Sequence, residues 1–465
     1  LEIQVVHDYE KNAAACKITV NANLNIRSIL YRLIYSSIYR CRLYFLLMAI
    51  QFKRDFRTIC FLCFIILLVI FVYLHFNYSL NQTEMPFTMT LPEHSPVWYE
   101  QQCFSTHTPL LLENLYAYLS KTQMFSIKAC RQLEDKFNSI FRVDEIYGAL
   151  KLSPVYLKKV KQWLNNDEQL IAQIRNQKIL KVYNRYTHEE MIYNSIRGKR
   201  PQSTSELSPE NYTMKLMKDT MKTCDFCEKN YLSSTAEDSF GRLESKLSYT
   251  AANTFKYDRW HTLIVSRNHD TLHLTQDELE DMFELSKKWF KKAHDLEREY
   301  MYPEMIWDAM PKAGASQIHT HIQVSLGKDS YYGVIERTRQ GAKQYSKDHS
   351  HRNYFSDYLQ TPLKDLEVMI MGEKLNKHFY RAIHLLFRAF IDDMNEYSFS
   401  FGMHLPPMNE AFVSNMPVLC RTVFRNPVTN LRSDMNGLDL YTSSVVGKDR
   451  YVLFRKLKSS IENRL

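Results

Sequence analysis

Between residues 314 and 323 the chain reads Gly314-Ala-Ser-Gln-Ile-His-Thr-His-Ile-Gln323. His319 and His321 are two residues apart. The run His319–Leu326 alternates polar with apolar, which predicts a strand with His319, His321, Gln323 and Ser325 on one face. Two imidazoles sharing a face can serve one site, as metal ligands or as a nucleophile. Taken alone, such histidines are more often surface or hydrogen-bonded residues. Gly314 and Ser316 shift that balance. A glycine lets backbone approach a ligand, and the serine offers hydroxyl and amide donors for a phosphate.

Two further clusters have a chemistry of their own. Arg197-Gly-Lys-Arg-Pro201 carries guanidinium groups suited to a diphosphate, with a solvated basic loop as the alternative. Cys224-Asp-Phe-Cys227 has the spacing of half a zinc site, and equally of a disulfide in an oxidising compartment.

In this order the motifs resemble the histidine-triad superfamily, in the branch that has Gln at the third position. That branch contains galactose-1-phosphate uridylyltransferase, diadenosine tetraphosphate phosphorylase and GDP-hexose phosphorylases. The resemblance covers about residues 190–450. It implies that His321 attacks an α-phosphate and carries a nucleotidyl group, while Gln323 and Ser316 stabilise the phosphoryl oxygens. It gives Arg197 and Arg200 to the substrate phosphates and Asn253 to the ribose and base. It makes Cys224, Cys227, His269 and His319 a closed, structural zinc site. Tyr397–Pro407 and Ser433–Leu440 are similar to the C-terminal lobe of the uridylyltransferases; there His404 is either a substrate contact or a loop histidine. Two departures matter. Asp308 stands where the family commonly has Asn, and a carboxylate beside a diphosphate repels it unless protonated or bridged by a cation. Thr320 replaces the Pro typical of uridylyltransferases.

Positioning these residues requires a scaffold. Thr275 and Glu278 form a capping box, and Leu279, Met282, Phe283, Ser286, Phe290 and Ala293 fall on one face of the helix that follows. His261–Ser266, Glu304–Ala309 and His319–Leu326 read as strands. Helices are expected around Leu110–Leu119, Pro154–Ile174 and Leu375–Asn395, and the last seventy residues look rich in strands. The class is α+β, with antiparallel histidine-triad-like sheets, flanking helices and two lobes, the second degenerate because it lacks the His pair.

The chain has 465 residues, 45% of them hydrophobic and 24% charged. This excludes collagen-like, low-complexity and largely disordered chains. The net charge is +9. Nine Lys/Arg against four Asp/Glu in residues 1–57 account for five of it. Four remain for the rest, no footprint for nucleic acid. Residues 58–76 carry no charge, include sixteen consecutive apolar residues, and as a helix span about 28 Å. Lys53, Arg54 and Arg57 precede them, which predicts a type II signal anchor. The sequons at Asn77, Asn81 and Asn211 are compatible with a lumenal side.

The expected organisation is therefore a basic cytosolic tail over 1–57 and a transmembrane helix over 58–76, with 1–47 outside the translated protein if Met48 is the start. A stalk (77–102), a helical extension (103–190), a catalytic lobe (191–345) and a degenerate lobe (346–465) follow. The expected function is a membrane-anchored nucleotidyltransferase or nucleotide-sugar phosphorylase acting on a nucleotide sugar or dinucleotide. Its expected place is the Golgi or endoplasmic-reticulum membrane, as a single-pass protein and possible homodimer. A hydrolase of the same superfamily and a catalytically degenerate zinc or nucleotide binder are the alternatives.

Overall fold

A computed structural model of the chain describes residues 87–465 except 90–91, 105–109, 120–125, 200–206, 362–367, 409–414, 426, 430–437, 439–441 and 447–448. Before residue 87 it describes 4–5, 18–19 and 65–71. The chain divides into two units, Leu1–Gln82 and Thr83–Leu465.

In the first unit, β1 (Gln4–Val5) pairs antiparallel with β2 (Ile18–Thr19), and residues 65–71 are helical and exposed. Seven helical residues extend about 10 Å, a third of a bilayer's hydrocarbon core. Among the described residues no helix is long and apolar enough to cross a membrane. This overturns the expected transmembrane helix over 58–76. Residues 58–64 and 72–76 lie outside the described residues, as do Met48, Lys53, Arg54, Arg57 and the sequons at Asn77 and Asn81.

The second unit is α+β. Its larger sheet has seven strands in the order β10–β12–β11–β8–β9–β7–β6, and every neighbouring pair is antiparallel. The strands are β6 (Ser248–Ala252), β7 (Trp260–Ser266), β8 (Tyr302–Ala309), β9 (His321–Gly327), β10 (Val368–Gly372), β11 (Phe399–His404) and β12 (Val418–Phe424). Strands of both expected lobes lie in this one sheet, joined where β8 pairs with β11.

One face of the sheet is apolar because its strands alternate. Ile264, Met305, Trp307, Ile322, Val324, Phe399 and Phe401 share a buried core with α1 (Gln276–Leu296) and α2 (Lys377–Arg388). The capping box of Thr275 and Glu278 is present, and all six residues of the expected helix face are buried. Around the opposite face, β6 and β7 meet a smaller cluster of Tyr249, Leu263 and Val265 with Cys224, Phe226 and Tyr231. Both faces are therefore covered at this end, and every residue of β7 is buried.

The smaller sheet has the order β13–β5–β4–β3, from β3 (Phe141–Ala149), β4 (Asn176–Asn184), β5 (Glu190–Tyr193) and β13 (Ser443–Val446). Its β13–β5 pair is parallel. The stretch read as a helical extension is thus helices with two strands, β3 and β4, among them. Leu180, Val182 and Asn184 turn inward, but the charged and exposed positions of β3 leave only a weak period-two signal. The helix expected over Pro154–Ile174 is two helices, Pro154–Trp163 and Glu168–Arg175. Asn165 and Asn166, both at positive φ, break it. A disulfide joins Cys103 to Cys130 within the core that this region shares with Phe355, Tyr358 and Leu419.

Candidate active site

Four ligand atoms converge beside β7. Cys224 and Cys227 sit in a turn in which Cys227 N–H donates to the Cys224 carbonyl at 3.4 Å, and Asn230 Nδ2 donates to the same carbonyl at 2.9 Å. His269 follows β7 in a loop tied by Asn268 N–H to Ser266 Oγ at 3.0 Å and Asp270 N–H to Asn268 Oδ1 at 2.9 Å. His319 precedes β9. The four ligand atoms all lie within 4.8 Å of one another.

The separations suit one tetrahedral ion. Cys224 Sγ is 3.4 Å from His319 Nδ1, Cys227 Sγ is 3.4 Å from His269 Nδ1 and 3.8 Å from His319 Nδ1, and the two Nδ1 atoms are 3.2 Å apart. Bonds of about 2.3 Å to sulfur and about 2.05 Å to nitrogen would set tetrahedral S···N edges of about 3.6 Å and N···N edges of about 3.3 Å. The outer shell fits too. His269 Nε2–H donates to the Met217 carbonyl at 3.1 Å, and His319 Nε2–H donates to the Ser266 carbonyl at 2.6 Å. Each imidazole therefore presents a bare Nδ1 to the centre. Cys224 and Cys227 are free thiols, so the rival disulfide is not formed. A two-sulfur, two-nitrogen tetrahedron with no open position is the donor set of structural zinc.

His321 is wired the opposite way. Its Nδ1–H donates to the His319 carbonyl at 2.8 Å, leaving Nε2 as the bare nitrogen. Burial holds its pKa down, opposed by that carbonyl and by Asp308, so the ring is neutral at pH 7. Burial likewise holds His319 down at about 4. The structure differs from the sequence reading here: β9 begins at His321, and His319 turns aside into the metal cluster instead of sharing the strand face. Three contacts to the other ligand atoms and the Ser266 hydrogen bond outweigh strand alternation at that position.

Pairing sets the face that His321 and Gln323 share. Gln323 stands opposite Ile306 of β8 and Leu263 of β7, and Ser325 opposite Glu304 and His261. Gln323 Oε1 lies 3.2 Å from His261 Nε2 and 3.3 Å from Tyr257 Oη. With both donors on its carbonyl side, the carboxamide has its N–H₂ group left for an anion. Asn253 lies beside them, its Nδ2 3.4 Å from His261 Nε2 and its Oδ1 accepting from Phe255 N–H at 2.9 Å. Burial lowers His261 to about 4, against its bond to Gln323.

The remaining candidates are placed unevenly. Gly314 has φ +110, a conformation that glycine adopts without strain, and a Cβ there would lie 3.9 Å from Asp308 Oδ2. The loop therefore passes close over Asp308. Ser316 is exposed on that loop. Burial raises the Asp308 pKa, opposed by a hydrogen bond from Ser400 and by the charges of Arg425 and His321. Arg425 Nε in turn donates to Ser400 Oγ at 3.2 Å. His404 is the last residue of β11, opposite Glu304 and 1% exposed, a strand residue rather than a loop one. Arg197 is exposed beyond β5, and no contact among the described residues brings it to His321. Arg200 and most of Ser433–Leu440 lie outside the described residues.

Sequence reasoning missed His261, Tyr257, Ser400 and Arg425. His261 sits in a run read only as a strand. Its partner Gln323 is 62 residues away, and only the β7–β9 register joins them.

Solved structures similar to this chain include an ADP-glucose phosphorylase from Arabidopsis thaliana with bound ADP-glucose. It has 13% identity and a TM-score of 0.44, covering 60% of this chain and 97% of that one. A uridylyltransferase has 10% identity and a TM-score of 0.38, covering 48% and 87%. A yeast Ap4A phosphorylase in complex with AMP has 13% identity and a TM-score of 0.28, covering 63% and 90%. No protein-family model matches the chain, and no curated protein matches it.

Proposed function

We propose that the protein is a nucleotidyltransferase or phosphorylase that carries a nucleotidyl group on His321. The observation that carries this is the His321–His319 hydrogen bond, which frees Nε2 on the same sheet face as the Gln323 carboxamide. In the first half-reaction Nε2 attacks the α-phosphorus of a nucleoside diphosphate derivative. The N–P bond forms as the P–O bond to the leaving phosphate breaks. In the second, an acceptor oxygen attacks the same phosphorus and the P–N bond breaks, restoring the neutral imidazole. Gln323 N–H₂ donates to the phosphoryl oxygens as charge builds on them.

Zinc held by Cys224, Cys227, His269 and His319 would lock the loop that supplies the His319 carbonyl. Asp308 is less of an obstacle to a diphosphate than its type suggests. Its burial favours the protonated form, and Ser400 and Arg425 face it when it is ionised. This favours turnover over a degenerate binder.

The Cys103–Cys130 disulfide supports placing the chain in an oxidising compartment. Asn211, exposed in the first turn of the helix Pro209–Met221, is open to glycosylation there.

Intact mass spectrometry at neutral pH, after incubation with ADP-, UDP- and GDP-glucose and Ap4A, tests the reading. The expected product is an acid-labile adduct of one nucleoside monophosphate, absent in His321→Ala. No adduct with any of the four would refute it.

A further inference from the structure

Among the described residues, eight positions other than glycine have positive φ, and Met310 differs from the other seven. Those seven are Asn, His, Ser or Thr, and six of them are exposed. Short polar side chains tolerate such a backbone because they bond to it locally. Met310 is apolar and 3% exposed. Its φ is 70 and its ψ 157, a region that residues other than glycine enter only at a cost in free energy. Pro311 follows, and a proline favours a ψ of about +120 to +160 in the residue before it. The proline thus accounts for the ψ. Nothing local accounts for the φ.

That torsion sets the direction in which one closed turn leaves β8. The Met310 carbonyl accepts from Ala313 N–H at 3.0 Å and from Ala315 N–H at 3.2 Å, and Gly314 N–H donates to the Pro311 carbonyl at 3.0 Å. The turn carries Gly314 close over Asp308, where a Cβ would lie 3.9 Å from Oδ2, and it delivers Ser316 two residues later. Asp308 is in turn one of the charges that His321 feels. A negative φ at Met310 would swing the whole turn off Asp308.

The side chain supplies the hold. It is buried with Met217, Leu272, Ile318, Ile391, Tyr397 and Val428. Met217 offers the carbonyl that receives the His269 ring N–H at 3.1 Å, and Ile318 precedes His319. The cluster that anchors Met310 is therefore the one beneath the metal loops. A strained torsion persists only where its surroundings over-determine it, and such residues gather at functional sites.

We propose that Met310 is a positioning residue, whose buried side chain holds a strained backbone so that the loop carrying Gly314 and Ser316 closes over Asp308 beside His321. It touches no reacting atom and acts through the loop. This deepens the nucleotidyl-transfer reading and rests on it for the effect on transfer. The strain and the loop closure stand without it.

Met310→Gly, Met310→Ala and Met310→Leu are compared with wild type as full chains. Glycine and alanine both lose the anchor, but only glycine loses the strain. At an ordinary position glycine is the less stable of the two. Here we expect urea melts to give Met310→Gly an unfolding constant about tenfold or more below that of Met310→Ala. Hydrogen exchange in the peptide 311–317 should be about tenfold faster in Met310→Gly than in wild type, because the turn loses its fixed direction and opens locally. The rate of adduct formation on His321 should also fall about tenfold, with the half-saturating nucleotide sugar concentration little changed, because the loop acts on charge that builds during the reaction. Met310→Leu, of similar volume, should match wild type in exchange and in rate.

Met310→Gly less stable than Met310→Ala would remove the strain and overturn the proposal. Unchanged exchange, or adduct formation at the wild-type rate in Met310→Gly, would overturn the positioning role. If wild type itself forms no adduct while the stability order and the exchange are as expected, the hold on the loop stands and the nucleotidyl reading falls.

Discussion

His321 Nδ1 lies 2.8 Å from the main-chain carbonyl oxygen of His319, a residue whose own Nδ1 joins the thiol cluster. The metal cluster and the nucleophile are thus consecutive links of one backbone segment. Replacing His321 with Ala removes the nucleophile and leaves the cluster intact. Transfer should fall by about three orders of magnitude or more, because no other group can form the intermediate. Melting temperature and bound zinc should stay near wild type. Loss of zinc together with activity would mean that His321 acts structurally.

The cluster predicts about one zinc per chain by atomic emission. Cys227→Ser keeps the size of the side chain and replaces a good thiolate ligand with a hydroxyl. Because only the folded state assembles all four donors, metal affinity is folding energy. Zinc at a thousandfold excess over its dissociation constant contributes about 4 kcal/mol. Chelation of wild type, or Cys227→Ser, should lower the melting temperature, and zinc should restore it in wild type alone. Wild type purified without metal and indifferent to chelator would refute the site.

Glu304 gives a pH dependence with a definite sign. It is 5% exposed, and burial pushes its pKa up to about 7, with Asp258 and Glu336 adding to the effect and two bonds from Tyr332 N–H, at 3.0 and 3.1 Å, working against it. In the unfolded chain a glutamate titrates at about 4.3. The folded state therefore binds this proton more tightly. The stability it contributes is present below about pH 4 and is lost as the pH rises through about 7, a change on the order of 3 kcal/mol. Glu304→Gln keeps an acceptor for Tyr332 and does not titrate. Urea melts of the two proteins should diverge between pH 5 and 7, with the variant flatter and relatively more stable at pH 7.5. Parallel curves would show that Glu304 titrates normally.

How far the site is legible in the sequence depends on what kind of pairing sets it. Cys224 and Cys227 are local, and His269 and His319 lie in motifs, so the metal ligands could be named before the sheet that gathers them was known. The α1 face was legible because its period and capping box are local too. His261 was not. It meets Gln323 only through the register of β7 on β9, and no short window contains that register. Residues 141–184 hid two strands because only β4 has an inward alternation and β3 is largely exposed. The uncharged run at 58–76 misled for the opposite reason. Composition over nineteen residues was read as a span, and the described helix in it covers seven residues.

The Cys103–Cys130 bond closes a loop with a sequence separation of 27. It ties the helix Pro96–Cys103 to the helix Lys128–Ile140, within the core that also holds Leu419 of β12. Closing a loop of that length in the unfolded chain is worth about 3–4 kcal/mol. Cys103→Ser and Cys130→Ser should each lower stability by about that much. The double variant should be no worse than either single one, because both remove the same link. Iodoacetamide labelling without reductant should modify neither cysteine in wild type, while the partner in each single variant becomes reactive on unfolding. The metal cluster lies in a different core cluster, so zinc content should not change. Full labelling of both cysteines in freshly isolated protein would show that the bond is absent in the cell, and would remove the support for an oxidising compartment with it.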